Sequence, residues 1–375
     1  MNRQLSEDRL RLVLTNFGLD GTLSNFSPLG RGHINDTYLI EITLAQRTEK
    51  YTLQRINTHV FRQPELMMAN WEMVIGHLQL KLSQQNRSKL QQQSLRLVPT
   101  RDGGSFFRSP EGEYWRAYHF VDHCHTIETA TTPEQAFEAG QAFGLFQRLV
   151  VDLSPAVLHE TIPFFHHTPR RFADFLAAVE RAQPERKSRA AAAIAFALER
   201  QPMVGLVAEG LASGYLPLRV THNDTKINNV LFDDATGKAI CVIDLDTTMP
   251  GSPLYDFGDL VRTATCPAAE DETDLTLINL NIELFRAVAE GYLSQTADIL
   301  TPAEKERLIA AGNLITFTIG LRFLTDYLDG DIYFKVSRPD HNLDRARAQF
   351  QLLKSMEQQA KEMAQNLHKI LGGQS

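Results

Sequence analysis

The stretch between residues 220 and 246 constrains this chain more than any other. It contains a His-x-Asp triplet at His222 to Asp224, an asparagine at Asn229 five positions after the aspartate, and a further carboxylate at Asp244. Two short apolar segments between Asn229 and Asp244 flank a polar stretch rich in turn residues, which predicts a β-hairpin. The hairpin would bring Asn229 and Asp244 close together.

The order and spacing of these residues are typical of a catalytic loop for phosphoryl transfer. That reaction needs a carboxylate near the acceptor hydroxyl and oxygen ligands that hold Mg²⁺ on the donor phosphates. We expect Asp224 to be the catalytic base and Asn229 and Asp244 to be metal ligands. Asp246 is either a further metal ligand or a support for Asp244. His222 is either a base or a structural residue, and its position two residues before Asp224 favours the structural role.

Two neighbours in the same loop leave alternatives open. Lys226 either offsets charge on the transferred phosphoryl group or is solvated. Asn228 competes with Asn229 as the metal ligand, and only the five-residue offset from Asp224 favours Asn229.

The distribution of strand-like and helical patterns predicts an α+β, two-lobed, protein-kinase-like fold. At 375 residues the chain is long enough for two cores. We expect a β-rich, nucleotide-binding lobe over residues 1–121 and a mostly helical lobe with the catalytic hairpin over 122–375. The predicted strands are 37–42, 51–56, 95–99 and 114–121, and the predicted helices are 65–80, 134–149, 170–180, 187–200, 275–292, 302–328 and 343–371.

A glycine-containing segment in the first lobe is the candidate phosphate-binding loop. Gly30 and Gly32 would let backbone amides approach the phosphates of ATP, with Asn35 and Thr37 following them. An ordinary hairpin turn is the alternative. His33 is either an exposed turn residue or a donor that reaches the acceptor.

The first lobe departs from protein kinases at one position. The third strand has Gln54 and Arg55 where a phosphate-anchoring lysine is expected. Either residue is a candidate substitute, with Glu72 as a helix partner, although an Arg55–Glu72 pair could equally be a surface ion pair. Phe120 and Asp122 lie where backbone groups would contact the adenine ring of the nucleotide. Their side chains do not indicate whether the protein uses ATP or GTP.

Composition narrows the partners and the compartment. The net charge of −7 argues against a nucleic-acid partner. Three unpatterned cysteines indicate a reducing compartment, and no stretch is typical of a signal peptide or a membrane span, so we expect a cytoplasmic protein. His123, Cys124 and His125 are too closely spaced for a usual zinc site. Nothing in the sequence indicates the oligomeric state.

An arginine within an apolar helical run is the candidate acceptor ligand. Arg322 is flanked by leucine, isoleucine and phenylalanine residues, so its charge needs a partner. That partner is either Asp326, four residues further on, or a bound acceptor.

The chain resembles the aminoglycoside-phosphotransferase and choline-kinase-like superfamily of small-molecule kinases. Within it, the chain is most similar to bacterial N-acetylhexosamine 1-kinases. The His-x-Asp with its asparagine is common to the superfamily, whereas the last matching stretch is far more specific. The similarity extends over nearly the whole chain, and the matching stretches are 32–35, 37–39, 53–54, 115–116, 221–226, 243–247, 249–252, 256–259, 322–324 and 326–334.

The resemblance implies ATP- and Mg²⁺-dependent phosphorylation of the anomeric (C1) hydroxyl of N-acetylglucosamine or N-acetylgalactosamine. It favours Arg322 as a sugar ligand, with Tyr333 and His33 reaching the same substrate beside Asp224. The position of Gln54 lacks a lysine in these relatives as well. The sequence does not indicate a preference between the two sugars.

Other acceptors and a non-enzymatic role are the alternatives. Kinases of homoserine or methylthioribose are the hardest to separate, because fold kinship does not select among acceptors. A choline kinase needs an aromatic cage, but Trp71 and Trp115 both lie in the nucleotide lobe, and Arg322 opposes a cationic aminoglycoside. A pseudokinase would be expected to lose Asp224 or Asp244, and both are present.

Overall fold

The structure is a computed structural model that describes residues 7–29, 34–44, 47–84 and 93–372. The chain forms two compact units: the first comprises Met1–Cys124 with Leu158–Ile162, and the second comprises His125–Val157 with Pro163–Ser375. The sequence predicts a lobe boundary between residues 121 and 122. The later segment of the first unit is held by Asn70, whose side chain donates to the carbonyl of His159 at 2.7 Å and accepts from its N–H at 2.8 Å.

The first unit contains an antiparallel sheet of six strands. These are β1 (Thr22–Pro28), β2 (Asp36–Leu44), β3 (Arg47–Arg55), β4 (Leu97–Val98), β5 (Phe107–Arg108) and β6 (Tyr114–His119). The strand order is β1-β2-β3-β6-β4, and β5 pairs with β6. The four strands expected from the sequence are present as β2, β3, β4 and β6, with shifted ends. β1 was not among them, because its sequence lacks a regular apolar alternation.

The two faces of this sheet are covered by different helices. The side chains of Ile40, Leu53 and Trp115 are buried on one face with residues of α1 (Glu7–Leu14). Alternate residues of a strand point to opposite faces, so Arg116 points to the other side. There its guanidinium lies 3.7 Å from the ring centroid of Trp71, on α2. This helix spans Pro64–Gln84, four residues beyond the predicted end at 80.

The second unit is mostly helical. Strand β7 (Cys124–His125) lies where the chain passes from the first unit to the second. The helices are α3 (Pro133–Leu149), α4 (Thr168–Arg181), α5 (Pro184–Arg189), α6 (Ala191–Glu199), α7 (Ala208–Ala212), α8 (Pro253–Ala264), α9 (Ile282–Thr296), α10 (Pro302–Glu306), α11 (Leu308–Leu328) and α12 (His341–Ile370). Single 3₁₀ turns occur at Pro155–Val157, Gln201–Met203, Ile227–Asn229, Leu245–Thr247 and Leu275–Leu277.

Helices α3 and α9 approach each other closely through glycines. A Cβ atom at Gly140 would lie 2.4 Å from the carbonyl oxygen of Val288, and one at Gly291 would lie 2.1 Å from that of Phe137. Any larger residue would therefore force the helices apart. Helix α3 carries Phe143 and Phe146, whose rings pack against the catalytic loop described below.

Three helix predictions were wrong in their extents. The predicted helix 275–292 begins only at Ile282, because Asn281 caps it by accepting N–H bonds from the second and third helical residues. The predicted helix 302–328 is interrupted at Arg307, whose N–H donates to the carbonyl of Glu304 three residues back. The predicted helix 187–200 is two helices that meet at Ala190.

The hairpin predicted between Asn229 and Asp244 is confirmed. Strands β9 (Val230–Asp233) and β10 (Ala239–Val242) pair antiparallel, with Gly237 at a positive φ of 66° in the turn. A second pair, β8 (Arg219–Thr221) with β11 (Met249–Gly251), holds the two ends of the catalytic segment together. This pair was not predicted, since each strand is only three residues long.

One helix among the described residues, α11, is long and apolar enough to cross a membrane by length and composition. In the most apolar 18-residue segment of this helix, 72% of the segment is buried inside the protein. Packing of this kind is typical of a core helix.

Candidate active site

The catalytic loop is held in place by a buried carboxylate on α8. The side chain of Asp256 accepts the backbone N–H of His222 at 2.9 Å and that of Asn223 at 2.7 Å. Asn223 has a left-handed φ of 65°, a conformation that costs free energy and persists only where its surroundings hold it. Burial raises the pKa of Asp256 to about 7, although both N–H bonds act to lower it. Asp256 therefore holds the backbone of the loop at His222 and Asn223.

His222 is a structural residue in this geometry. Its ring is buried between the edges of Phe143 and Phe146. The Nε2–H donates to the carbonyl of Ile243 at 2.9 Å, and Nδ1 accepts the N–H of Asp224 at 3.3 Å. Burial lowers its pKa, so the ring is neutral and both of its nitrogens are engaged.

Asp224 lies beside an asparagine and a lysine. The amide nitrogen of Asn229 donates to the Asp224 carboxylate at 3.1 Å and to its backbone carbonyl at 2.8 Å. The ammonium group of Lys226 is 3.2 Å from the same carboxylate. Burial acts to raise the pKa of Asp224, but the charge of Lys226, its bond to the carboxylate and the other nearby positive charges together outweigh burial, and the pKa lies below its usual value. Asp224 is therefore ionised at neutral pH.

The hairpin brings Asn229 and Asp244 together. The N–H of Ile243 donates to the backbone carbonyl of Asn229 at 2.9 Å, while its own carbonyl accepts from His222. Asp244 follows directly, is exposed, and has a left-handed φ of 60°. Asn228, the competing ligand, donates from its amide nitrogen to Glu128 at 3.1 Å, and its side-chain oxygen has no hydrogen-bond partner among the described residues.

The two side chains offer the kind of oxygen atoms that could hold a magnesium ion. The bonds of Asn229 to Asp224 use its amide nitrogen, so its side-chain oxygen is the atom that would bind a metal, together with the carboxylate of Asp244. Mg²⁺ prefers such hard oxygen ligands and takes others from waters and substrate phosphates. Over residues 7–29, 34–44, 47–84 and 93–372, no group of three or more His, Cys, Asp or Glu side chains is arranged to hold a metal. Asp246 is only 2% exposed.

His166 is a residue of the site that sequence analysis missed. Its ring is buried, and Nε2 lies 2.7 Å from the carbonyl oxygen of Asn223, next to Asp224. Burial lowers its pKa to about 4. Because the ring is then neutral with Nε2–H as the donor, His166 fixes the turn at Asn223. The one sequence signal was its place in the aromatic run Phe164 to His167.

In the first unit, Gln54 belongs to a polar cluster on the sheet. The guanidinium of Arg116 donates twice to the side-chain oxygen of Gln54, at 2.8 and 2.6 Å. The amide nitrogen of Gln54 donates to the hydroxyl of Thr37 at 3.0 Å. A buried arginine thus orients Gln54 at the strand position where a lysine is expected. The sequence assigns Arg116 no role beyond its place in the matching stretch 115–116.

The expected Arg55–Glu72 pair is wrong. Arg55 pairs with Asp36 and, at 2.9 Å, with Glu113, while Glu72 is exposed on α2. Gln54 and Arg55 are adjacent in β3, so their side chains point to opposite faces of the sheet. Only one of the two can therefore face α2. Asn35 accepts the N–H of Asn57 at 3.0 Å, which ties the start of β2 to the end of β3.

Phe120 and Asp122 lie near Lys50 of β3. The N–H of Phe120 donates to the carbonyl of Lys50 at 3.1 Å, and the ammonium group lies 5.9 Å from the ring centroid. The same ammonium group pairs with Asp122 at 2.6 Å. Gly30, Gly32 and His33 lie outside the described residues.

Asp326, one of the two candidate partners of Arg322, does not pair with it. The carboxylate of Asp326 accepts the backbone N–H groups of Ile332, Tyr333 and Phe334, at 2.9, 2.7 and 2.9 Å. Asp326 therefore folds the chain after α11 back over this helix. Arg322 contacts aromatic rings instead, with its Cζ 5.0 Å from the centroid of Phe165 and 5.9 Å from that of Tyr333. The two predicted acceptor ligands, Arg322 and Tyr333, are thus brought together.

The fold and the catalytic loop define a kinase-like phosphotransferase with a β-rich and a helical unit. Residues 25–290 match the sequence model of the family described as the phosphotransferase enzyme family. This match covers well over half of the chain, and the protein belongs to that family.

Solved structures share the fold at low sequence identity. A microcompartment-associated aminopropanol kinase has a TM-score of 0.60 and 16% identity, over 96% of this chain and 100% of that one. An ethanolamine kinase from Plasmodium vivax has a TM-score of 0.56 and 14% identity, over 93% and 91%. A spectinomycin phosphotransferase, solved with ADP and spectinomycin, has a TM-score of 0.51 and 15% identity, over 93% and 100%.

Proposed function

We propose that this protein transfers the γ-phosphoryl group of ATP to the anomeric hydroxyl of N-acetylglucosamine or N-acetylgalactosamine, giving the sugar 1-phosphate. The observation that carries the proposal is the Asp224 carboxylate, ionised and aligned by Asn229. The choice of acceptor is supported by Arg322 beside Tyr333 and by the resemblance of residues 326–334 to N-acetylhexosamine 1-kinases.

Asp224 is the proposed base. It takes the proton of the C1 hydroxyl as the oxygen forms a bond to the γ-phosphorus, while the bond to the bridging oxygen breaks and its electron pair leaves with ADP. A base must be unprotonated at working pH, and the lowered pKa of Asp224 meets that condition. An anomeric hydroxyl is more acidic than an ordinary alcohol, so a carboxylate is a strong enough base. Lys226 would offset charge on the transferred group.

Asn229 and Asp244 are the proposed holders of Mg²⁺, which when bound neutralises charge on the donor phosphates. Since Asp246 is buried, we propose that it supports the turn at Asp244 and does not bind the metal directly.

The nucleotide is assigned to residues of the first unit. Gln54 and Thr37 are the described side chains best suited to phosphate oxygens, because Arg116 and the sheet fix both of them. The other proposed ATP contacts are Gly30, Gly32, Asn35, Phe120 and Asp122. Glu72 is left without a role in this proposal, since its expected partner Arg55 pairs elsewhere.

The proposal is tested by measuring ADP formation with Mg²⁺ and a panel of acceptors. These are N-acetylglucosamine, N-acetylgalactosamine, ethanolamine, choline, homoserine, methylthioribose and kanamycin. We expect turnover with the two N-acetylhexosamines and little with the amines. Preferred turnover of another acceptor would contradict the sugar assignment and leave the phosphotransferase assignment standing. ATP binding without any turnover would indicate a pseudokinase.

A further inference from the structure

A second arginine lies beside the proposed acceptor ligand. Arg171, near the start of α4, donates from Nε to the carbonyl of Phe165 at 3.4 Å. Arg322, on α11, has its guanidinium over the ring of the same phenylalanine, 5.0 Å from the centroid. Two helices thus direct one guanidinium each to Phe165.

The positive charge of this pair is poorly compensated. Within the described parts of the chain, Arg322 has no carboxylate partner and contacts only rings, including those of Tyr333 and Phe334. The nearest carboxylate to Arg171 is that of Asp174 at 3.9 Å, which lies closer to Arg170, at 3.1 Å. Burial and the charge of Arg322 lower the pKa of Arg171 to about 10. Such a pair attracts electronegative groups and repels cations.

The arginine pair is connected to the proposed base through a short path. Phe165 precedes His166 in the chain, and the ring of His166 lies 2.7 Å from the carbonyl oxygen of Asn223. Asn223 in turn precedes Asp224. This connection motivates the assignment of a group bound by Arg171 or Arg322 to the molecule whose hydroxyl Asp224 deprotonates.

We propose that Arg171 and Arg322 together form an acceptor subsite that binds carbonyl and hydroxyl oxygens and rejects ammonium groups. The inference rests on the proposed function, because it names the part of the acceptor that the second unit recognises. Guanidinium groups offer several N–H donors in a fixed plane and accept no hydrogen bond, so they pair with an acyl carbonyl and not with an amine. For an amino sugar, the subsite requires the N-acyl form.

The test compares N-acetylglucosamine with glucosamine, which differ in the acyl group and the resulting charge. Arg171→Gln is expected to raise the KM for N-acetylglucosamine by about tenfold, the effect of losing a charge-assisted hydrogen bond. The ratio of kcat/KM for the acylated sugar over the free amine should shrink, with the KM for ATP unchanged. Arg170→Gln is the matched control, because Arg170 is exposed and its charge pairs with Asp174, and it should leave both values unchanged.

An unchanged ratio in a folded Arg171→Gln protein would overturn the inference. If that variant melts too early to assay, Arg171→Lys keeps the charge without the planar fork and should still reject glucosamine while its KM for N-acetylglucosamine rises. A wild-type preference for an amine such as ethanolamine would overturn both the subsite and the proposed function. Turnover of a neutral acceptor other than a hexosamine, and of no other acceptor, would contradict the proposed function. The subsite would then be tested with that acceptor: a raised KM in Arg171→Gln would support it, and an unchanged KM would overturn it.

Discussion

Two loops of the second unit are positioned by the same device and differ in what surrounds them. In each, a carboxylate on a helix accepts consecutive backbone N–H groups: Asp256 from His222 and Asn223, and Asp326 from the three residues Ile332 to Phe334. A carboxylate with several such bonds fixes a backbone path that the loop sequence alone would not adopt.

The difference lies in the side chains. The side chains of His222 and Asn223 are buried, and His222 is also enclosed by two phenylalanine rings. We call the residues from Ile332 to Phe334 the acceptor loop. In this loop Ile332 is 79% exposed and Tyr333 is 56% exposed. His222 and Asn223 of the catalytic loop are thus fixed at both backbone and side chains, whereas the acceptor loop is fixed at its backbone and at Phe334, whose ring packs against Phe323, and it leaves Ile332 and Tyr333 exposed. We infer that the first determines the rate of the reaction and the second determines the affinity for the acceptor.

The largest effect is expected at the centre of the catalytic loop. Asp224→Asn removes the proposed base and keeps the size of the side chain, so kcat should fall by about 10²- to 10⁴-fold. ATP binding, measured by calorimetry, should be retained. Turnover at the wild-type rate would refute the role of Asp224 and with it the contrast between the loops.

Removing the carboxylate beneath the catalytic loop comes next. Asp256→Asn leaves one of two buried N–H groups without a good acceptor, which should lower the free energy of unfolding by about 1–3 kcal/mol. It should lower kcat by about tenfold or more, because Asn223 loses its support, and leave the KM for the acceptor little changed. A variant in which KM alone rises would break the distinction between the two loops.

The pKa of Asp256 adds a pH dependence to this prediction. A carboxyl group with a folded pKa of about 7 and an unfolded pKa of about 3.9 binds its proton more tightly in the folded state. Its contribution to stability is present below the unfolded value and is lost as pH rises through about 7. Denaturant titrations from pH 4 to pH 8 should show this slope in the wild type and a weaker one in Asp256→Asn. Equal slopes would contradict the pKa.

A smaller effect is expected from Lys226. Lys226→Met removes the charge that holds down the pKa of Asp224, so that pKa should rise and the base should be protonated at higher pH. The acidic limb of the kcat/KM profile should therefore move to higher pH, with roughly a tenfold loss at neutral pH from the missing charge near the phosphoryl group. If the limb does not move, Lys226 does not set the charge of Asp224.

The smallest effect is expected in the acceptor loop. Asp326→Asn weakens the backbone bonds of Ile332 to Phe334 without touching the catalytic loop, so the KM for the acceptor should rise several-fold while kcat stays within about twofold. Steady-state kinetics at saturating ATP give both constants. A fall in kcat as large as that of Asp256→Asn would show that the two loops are not separable.

The sequence was most informative where chemistry fixes the spacing. The positions of Asp224, Asn229 and Asp244 follow from their offsets and from a hairpin with clear turn residues, and the structure places them together. The partners of charged residues were harder to predict. Asp326 looks like an i+4 partner of Arg322, yet it bonds to a loop that folds back.

Other parts of the site depend on pairings that leave no local pattern. Gln54 lies opposite Arg116 because of the register between β3 and β6, a relation that only the folded sheet reveals. Arg171 and Arg322 are brought to Phe165 by two separate helices. The signals that existed were subtle: Asn281 as a helix cap and the aromatic run before α4.

The most direct test of the central claim is the structure of the product. Wild-type protein, ATP, Mg²⁺ and N-acetylglucosamine are incubated, and the sugar phosphate is examined by phosphorus NMR with coupling to the sugar protons. We predict coupling of the phosphorus to the anomeric proton, which identifies the 1-phosphate. Phosphate at C6 or at any other hydroxyl would contradict the proposal that Asp224 deprotonates the anomeric oxygen.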